Sequence, residues 1–234
     1  MTKFAGVTYP LFDNLIERGD SGQNILIAGM CGSGKSSFTH GMINSILYKN
    51  GYEHKLVLID PKYVEFGRYE GTLHCIRYAD TIRDIEDTLN EVLDTIMARL
   101  LYMKQKGIDM YDGSTIHLFI DELADLMLTS KSVSASLQRI CQIGRAARVQ
   151  VVCATQCPLA TVIPTRIKVN FPIVVGLHTQ TAQHSRNIID ESGCEELPMF
   201  GEALIKYPTI GIKKVKVPYV DKEQLNGIIN ASRK

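Results

Sequence analysis

A glycine-rich stretch near the N-terminus has the residue types of a phosphate-binding site. It reads AGMCGSGKSS over residues 28–37, with Gly29 followed by four other residues and then Gly34-Lys35-Ser36. Glycines allow the positive φ angles that point successive backbone N–H groups at phosphate oxygens. In this spacing we expect Lys35 to reach the β and γ phosphates and the Ser36 hydroxyl to bind Mg²⁺. The predicted nucleotide-binding residues are Gly29, Met30, Cys31, Gly32, Ser33, Gly34, Lys35, Ser36 and Ser37.

The segments on either side of this loop supply the elements that must position it. Residues 24–28 (NILIA) form a short apolar run that predicts a buried strand. Residues 36–48 have helical spacing, with Phe38, Met42 and Ile46 on one side. A strand, a glycine-rich turn and a helix are the context that this motif requires. A chance glycine-rich turn would not carry both flanking elements, so we predict a nucleotide-binding loop.

A pair of acids follows a second apolar strand. Residues 116–127 read IHLFIDELADLM, with Asp121 and Glu122 directly after the strand. We predict that Asp121 holds Mg²⁺, directly or through water, and that Glu122 acts as general base on an attacking water. The alternative is that both acids only favour the N-terminus of the next helix. The phosphate-binding loop favours the catalytic interpretation.

A base in this position predicts attack of water on the γ-phosphate of a nucleotide. Transfer to a small acceptor would need an acceptor pocket and a lid, and no segment suggests either. The sequence also lacks Asn-Lys-x-Asp, the signature that recognises guanine. We therefore predict ATP hydrolysis with Mg²⁺ as cofactor.

Two further polar residues lie where an ATP-driven machine would need them. Gln156 ends the apolar strand VQVVCATQ, and we predict that it contacts the attacking water or the γ-phosphate. Arg145 lies in QIGRAARVQ at the predicted end of a helix, where it could stabilise the transition state at a neighbouring subunit. The alternatives are an ordinary polar strand end for Gln156 and a helix C-terminal cation for Arg145.

Composition excludes several classes of protein. The chain has 234 residues, 45% of them hydrophobic, and a net charge of +1, so no overall basic field indicates a nucleic-acid partner. Its apolar runs are shorter than the roughly 20 residues of a membrane span, and the N-terminus lacks a signal-peptide apolar region. The six cysteines form no C-x-x-C pair. We expect no membrane insertion, reduced thiols and a cytoplasmic location.

Short apolar strands alternate with helical stretches along the chain, which predicts an α/β fold with a mostly parallel sheet and helices on both faces. No repeat or linker divides the sequence, so we predict a single domain over residues 1–234. The predicted strands lie near residues 25–28, 56–59, 116–120, 150–154, 172–176, 202–206 and 212–217. The predicted helices lie near residues 10–18, 36–49, 81–105, 122–128, 133–146 and 181–190.

Taken in order and spacing, five motifs resemble the motor domain of FtsK/SpoIIIE-type DNA translocases, within the wider FtsK–HerA group. They are ILIAGMCGSGKSS, LVLIDPKYVEFGRYEG, IDELADLM, LQRICQIGRAARVQVVCATQ and HSRNIIDESGCEEL, and the resemblance covers about residues 20–208. It implies a RecA-like P-loop ATPase that assembles as a homo-oligomeric ring, a hexamer in this family, and pulls double-stranded DNA through its centre. By position, the family's ATPase residues are Lys35, Ser36, Asp121, Glu122 and Gln156, and Arg145 matches a residue that acts in trans.

The chain also departs from the family pattern. We expect neither a membrane-spanning N-terminal region nor the winged-helix module that reads orienting DNA sequences. The family's Thr-Gln-Arg-Pro has Cys157 in place of arginine. The expectation is a minimal motor of the kind that suits DNA transfer or segregation by a mobile element, plasmid or phage.

We expect DNA contacts on two loops that leave the sheet toward a central pore. Residues 129–136 carry Lys131, and residues 157–170 carry Arg166 and Lys168. Contacts from Lys and Arg to phosphates provide affinity without sequence information, as a translocase requires. For each residue a solvated surface charge is the alternative.

Two other functions remain open at this point. One is a virion packaging ATPase at a capsid portal, and the other is a non-translocating ATP switch that binds a protein partner. The sequence does not decide whether an anchoring, relaxase or capsid partner is needed.

Overall fold

A computed structural model describes residues 10–20, 23–48, 53–156, 163 and 165–233. Its strands are β1 (Ile25–Ala28), β2 (His54–Ile59), β3 (Cys75–Ala79), β4 (Thr115–Ile120), β5 (Val149–Thr155), β6 (Ile173–Gly176), β7 (Glu202–Tyr207) and β8 (Gly211–Lys216). Its α-helices are α1 (Pro10–Asp20), α2 (Lys35–Tyr48), α3 (Ile82–Lys106), α4 (Leu123–Thr129), α5 (Lys131–Ile143), α6 (Thr165–Lys168), α7 (Ala182–Ile189) and α8 (Lys222–Ala231).

The strands form one eight-stranded sheet in the order β3-β2-β4-β5-β1-β6-β7-β8. The strands from β3 to β6 pair in parallel, and β7 and β8 complete one edge in antiparallel pairing. Every residue of β1, β4 and β5 is buried, as expected for parallel strands that are covered on both faces. The predicted α/β class and mostly parallel sheet are confirmed.

The hydrophobic core consists of two layers, one on each face of the sheet. Alternate residues of β1 enter different layers: Leu26 packs with α3, α4, α5 and α7, whereas Ile27 packs with α1, α2 and α8. This alternation follows from the two-residue period of a strand. Helices therefore cover both faces, as predicted. Among the described helices, none combines the length and apolarity that crossing a membrane requires.

The predicted elements are all present, with ends within three residues of those observed, but the prediction was incomplete. It missed β3, α6 and α8. It was also wrong about residues 129–136, which we expected to form a loop: α4 ends at Thr129 and α5 begins at Lys131, so only Ser130 separates them. The Ser130 side chain caps α5 by accepting a hydrogen bond from the Val133 N–H at 3.3 Å.

The C-terminal helix α8 packs against α2 and ends on the segment that connects β2 to β3. The Leu73 N–H donates to the Ser232 carbonyl at 2.7 Å, and the Arg233 guanidinium donates to the Arg68 carbonyl at 3.1 Å. Thr72 and Arg233 form an isolated antiparallel bridge. The 60–73 segment is thus attached to the end of the chain.

Parallel strands bring their carboxyl ends to one edge of the sheet, and ligands bind at this edge in open α/β folds. Strands β4, β5 and β1 are neighbours, so the residues that follow them meet there. The predicted neighbourhood of the Asp121 strand and the Gln156 strand is confirmed by the pairing of β4 with β5.

Candidate nucleotide site

The phosphate-binding loop connects β1 to α2 at the carboxyl edge of the sheet. Gly32 and Gly34 have φ angles of 77° and 95°, which side chains other than glycine rarely adopt. Gly29 is needed for close packing, because a Cβ there would lie 2.8 Å from the Leu177 Cβ. The Met30 N–H donates to the His178 carbonyl at 3.0 Å and attaches the loop to the segment after β6.

The Lys35 side chain curls back over this loop. Its ammonium donates to the carbonyl oxygens of Gly29 at 3.0 Å and Met30 at 2.8 Å. Burial lowers the pKa of Lys35, although the nearby acids Glu122 and Asp121 oppose that shift. The cation therefore lies at the loop, where a bound phosphate could replace the two carbonyls as its partner.

A cavity of about 690 Å³ opens beside the loop. Among the predicted nucleotide-binding residues, Cys31 to Ser37 line it, whereas Gly29 and Met30 do not. The exposed rings of Phe200 and Tyr219 lie at this cavity as well. The other lining residues are Lys62, Val64, Glu65, Asp121, Gln156, Leu177, Gly201, Val217 and Pro218.

Asp121 directly follows β4 and has several other carboxylates nearby. Burial raises the pKa of Asp121 to about 6, and the charges of Glu65, Asp60 and Glu122 add to the shift. This excess of negative charge beside the Ser36 hydroxyl fits a divalent cation. No group of three or more His, Cys, Asp or Glu side chains among the described residues could hold a metal by itself. Mg²⁺ bound to a nucleotide needs only one or two protein ligands in addition to phosphates and waters, and Ser36 and Asp121 match that requirement.

Glu122 is buried and begins α4 with a left-handed backbone, φ 57°. Its Oε1 accepts hydrogen bonds from the Thr155 hydroxyl and from the Gln156 N–H, each at 3.0 Å. Its side chain makes no capping hydrogen bond to α4. The simple alternative of a helix-capping acid therefore does not explain Glu122, whose carboxylate is directed toward β5.

Lys62 is a residue of the site that the sequence analysis did not assign. Its ammonium lies 3.2 Å from the Glu122 Oε2 and 3.3 Å from the Asp125 Oδ2. Burial alone would lower the pKa of Lys62, but the charges and hydrogen bonds of these two acids raise it. The signal that could have found it is the Asp60-Pro61-Lys62 element at the end of β2.

Gln156 and Arg145 occupy opposite ends of β5. Gln156 follows the strand, is exposed and lines the cavity, as its predicted role requires. Arg145 precedes the strand, in the turn after α5, and is also exposed. A strand of this length separates the two by about 20 Å, so Arg145 does not reach its own chain's cavity.

The three residues predicted to contact DNA lie in different environments. Lys131 is exposed at the start of α5, and Arg166 donates to the Gln138 side chain at 3.1 Å. Lys168 is already paired, because its ammonium lies 2.9 Å from the Asp190 Oδ1 and from the Asn187 carbonyl. Residues 157–162 of the second predicted loop lie outside the described residues, and Arg166 and Lys168 belong to the short helix α6.

Comparison with known proteins supports the motif analysis. A model of the FtsK/SpoIIIE family matches residues 15–117, which include the phosphate-binding loop. The predicted resemblance to the FtsK/SpoIIIE family is confirmed. Two FtsK/SpoIIIE-family relatives, both named DNA translocase FtsK, match 88% of this chain: one from Helicobacter pylori strain J99 at 35% identity and one from Mesorhizobium japonicum at 30%. The chain spans only 26% and 28% of their lengths, respectively.

A solved structure shows the same fold. The monomer form of the pCW3 conjugation coupling protein TcpA with ATPγS superposes with a TM-score of 0.79 at 21% identity. The superposition covers 91% of this chain and 65% of TcpA. The RecA-like P-loop fold predicted from the motifs is confirmed.

Proposed function

We propose that this chain hydrolyses ATP at the carboxyl edge of the sheet. The observation that carries the proposal is the position of Glu122, which Thr155, Gln156 and Lys62 hold beside the phosphate-binding loop. Helix α2 begins at Lys35 with no acid in its first turn, so its N-terminal N–H groups and dipole favour phosphate. The binding groups line one cavity, and the base Glu122 contacts two residues of its lining, Lys62 and Gln156.

The residues around this cavity divide the chemical tasks. The loop amides and Lys35 bind phosphate oxygens, and Glu122 takes the proton of the attacking water. Mg²⁺, held by Ser36 and Asp121, supplies neutralisation of phosphate charge when it is bound. Gln156 reaches the same cavity from the end of β5 and orients the water or the γ-phosphate.

Hydrolysis in this proposal is coupled to movement of double-stranded DNA. Its support is the likeness to proteins named DNA translocase FtsK and the family match over the loop and β2. The coupled machine is a homo-oligomeric ring, a hexamer, in the cytoplasm, where it transfers or segregates the DNA of a mobile element, plasmid or phage. Exposed cations such as Lys131 and Arg166 provide contacts to phosphates that are independent of base sequence.

The chemistry is tested with Glu122→Gln, compared with Glu196→Gln at an exposed glutamate that does not line the cavity. We expect Glu122→Gln to bind ATP but to hydrolyse it about 10²- to 10⁴-fold more slowly, because the base is lost while the binding groups remain. Phosphate release and binding of a fluorescent ATP analogue measure the two properties. A wild-type rate in Glu122→Gln would exclude the assigned base.

The coupling is tested by ATPase assays with and without long double-stranded DNA over a range of protein concentrations. A DNA-driven ring should hydrolyse faster per chain when DNA is present and when concentration favours assembly. A switch that binds a protein partner should show neither dependence. An ATPase rate that depends on neither DNA nor protein concentration would therefore contradict the translocase and favour the switch.

A further inference from the structure

The serine expected to bind the metal is itself held by an acid from another segment. The Ser36 hydroxyl donates to the Glu65 Oε1 at 2.7 Å. Glu65 comes from the 60–73 segment between β2 and β3, not from the Asp121-Glu122 pair after β4. The function proposed above gives Glu65 no task.

Glu65 is held in turn by two partly or fully buried side chains of the core. Its Oε2 lies 3.1 Å from the His40 Nε2, and the His40 Nδ1 lies 2.7 Å from the Tyr69 hydroxyl. A carboxylate only accepts, so the His40 Nε2 carries the hydrogen of the first contact. Burial raises the pKa of Tyr69, so its hydroxyl keeps a proton that it can donate to Nδ1 in the tautomer with the hydrogen on Nε2.

The backbone around Glu65 is fixed as well. The Asp60 carboxylate has no exposed surface, and its Oδ2 accepts from the N–H groups of Glu65 at 2.8 Å and Phe66 at 2.9 Å. The acid that contacts Ser36 is thus placed by both its backbone and its side chain. Such double support is typical of groups that orient a metal ligand.

The chemistry of a hydroxyl ligand explains what this arrangement can do. A serine oxygen binds a cation through a lone pair, so its proton must be directed elsewhere. An ionised acceptor for that proton orients the lone pair and increases the electron density on the oxygen. The observed hydrogen bond from Ser36 to Glu65 meets this requirement and does not use the lone pairs of Ser36.

We propose that Glu65, supported by His40 and Tyr69, is a positioning residue that orients the Ser36 hydroxyl for Mg²⁺. The inference rests on the proposed ATP-binding function, in which Ser36 is a metal ligand. It adds a third segment of the chain to the metal site, besides the phosphate-binding loop and the end of β4. Glu65 acts through Ser36 and does not take part in the proton transfer assigned to Glu122.

The test measures metal affinity directly. Mn²⁺ is titrated into protein saturated with a non-hydrolysable ATP analogue, and free Mn²⁺ is followed by electron paramagnetic resonance. We expect Glu65→Gln to weaken Mn²⁺ binding by about 10- to 100-fold, the usual effect of losing an outer-shell partner. The control is Glu70→Gln, an exposed acid of the same segment, which should stay within about twofold of wild type.

Repeating the titration in the Ser36→Ala variant distinguishes the loss of hydroxyl orientation from the loss of a negative charge. In Ser36→Ala there is no hydroxyl to orient, so adding Glu65→Gln should weaken Mn²⁺ binding by about threefold at most. An equal loss in both backgrounds would contradict the proposal, as would wild-type affinity in Glu65→Gln. Nucleotide affinity in EDTA should not fall in Glu65→Gln, whereas a structural defect would lower it.

The His40→Asn variant and the wild-type protein provide two further measurements of Mn²⁺ affinity. If Glu65→Gln fails to fold, His40→Asn tests the same support, and we expect a Mn²⁺ affinity at least threefold below wild type, with unchanged affinity contradicting the proposal. If wild-type protein binds no Mn²⁺-nucleotide complex, the proposed ATP-binding function itself fails. Tight wild-type binding with an unaffected Glu65→Gln variant overturns only the role of Glu65.

Discussion

The carboxyl edge of the sheet, where the parallel strands end, differs from the amino edge, where they begin, in how its polar groups are satisfied. At the carboxyl edge, burial raises the pKa of Asp121 to about 6, and the charges of three nearby acids add to the shift. At the amino edge, the His54 Nδ1 lies 2.9 Å from the His117 Nε2, and the His117 Nδ1 lies 2.7 Å from the Gln150 Oε1.

The amino edge is stabilised further by a buried arginine. The Arg99 guanidinium donates to the Ala147 carbonyl at 2.7 Å and stacks 4.3 Å from the centre of the Tyr111 ring. Both edges pair polar groups within the chain, but the carboxyl edge also concentrates acids whose negative charge a bound cation would neutralise. The difference indicates that stability and ligand binding are assigned to opposite ends of the same strands.

Arg145 allows a test of this division, because it lies at the amino edge and yet is predicted to act at the site of a neighbouring subunit. If it completes a neighbour's site, Arg145→Ala should retain ATP affinity and lose about 10³- to 10⁵-fold in hydrolysis. Phosphate release measures the rate and sedimentation measures assembly, with Arg139→Ala, an exposed arginine of α5, as control.

Mixing Arg145→Ala with Glu122→Gln sharpens that test. Each variant lacks a different half of a shared site, so some interfaces in mixed rings are intact and part of the activity should return. Wild-type hydrolysis in Arg145→Ala would contradict the role in trans. Absent rescue together with a monomeric mass in ATP and DNA would exclude the ring.

His117→Ala tests the stabilising role of the amino edge. The change removes the contacts of His117 with the His54 Nδ1 and the Gln150 Oε1 and opens a cavity, so we expect the free energy of unfolding to fall by about 2 to 4 kcal/mol. Urea denaturation measures this loss, and the exposed His184→Ala should change stability by less than about 0.5 kcal/mol. ATP affinity of the folded variant should be unchanged, and a clear loss of it would show that the two edges are coupled.

Asp121→Asn tests the opposite property of the carboxyl edge. Because the folded-state pKa of Asp121 is raised from 3.8 to about 6, its ionised form destabilises the fold above that pH. We expect Asp121→Asn to be more stable than wild type by about 1 to 2 kcal/mol at pH 7.5 in EDTA. Thermal unfolding measures the difference, with Asp94→Asn, an exposed aspartate of α3, as control.

The pH dependence gives the sign of this effect. Between pH 4 and 6 the folded protein retains the Asp121 proton that the unfolded chain has lost, so the advantage of the variant shrinks as pH falls. It should be negligible near pH 3.8, where the ordinary carboxyl is half protonated. A stability difference that is independent of pH would show that ionisation of Asp121 does not destabilise the fold.

The residues that could be predicted from sequence are those that carry a local signal. The phosphate-binding loop was predicted because glycine, lysine and serine lie at fixed spacing between a strand and a helix, and β1 has the predicted bounds of Ile25–Ala28. Strand β3 was missed because it is an edge strand with mixed polarity, in which Ile76 is 53% exposed and Arg77 interrupts the apolar run.

Helix α8 was missed although it carried a signal. Asp221 caps the helix by accepting from the N–H groups of Glu223 and Gln224, and an Asp followed three residues later by Gln is a typical helix start. The contacts of Glu65 could not be predicted in this way. They depend on how the 60–73 segment lies across α2, and no local pattern in the sequence encodes that distance.

The attachment of the chain's last helix to the 60–73 segment has a mechanical consequence. A tensile load on residue 233 would pass along α8 into the core and, in parallel, through the Ser232 carbonyl and the Arg233 guanidinium into Leu73 and Arg68. The same segment carries Glu65, which contacts Ser36. Part of a force applied at residue 233 would therefore act on the segment that contacts the nucleotide site.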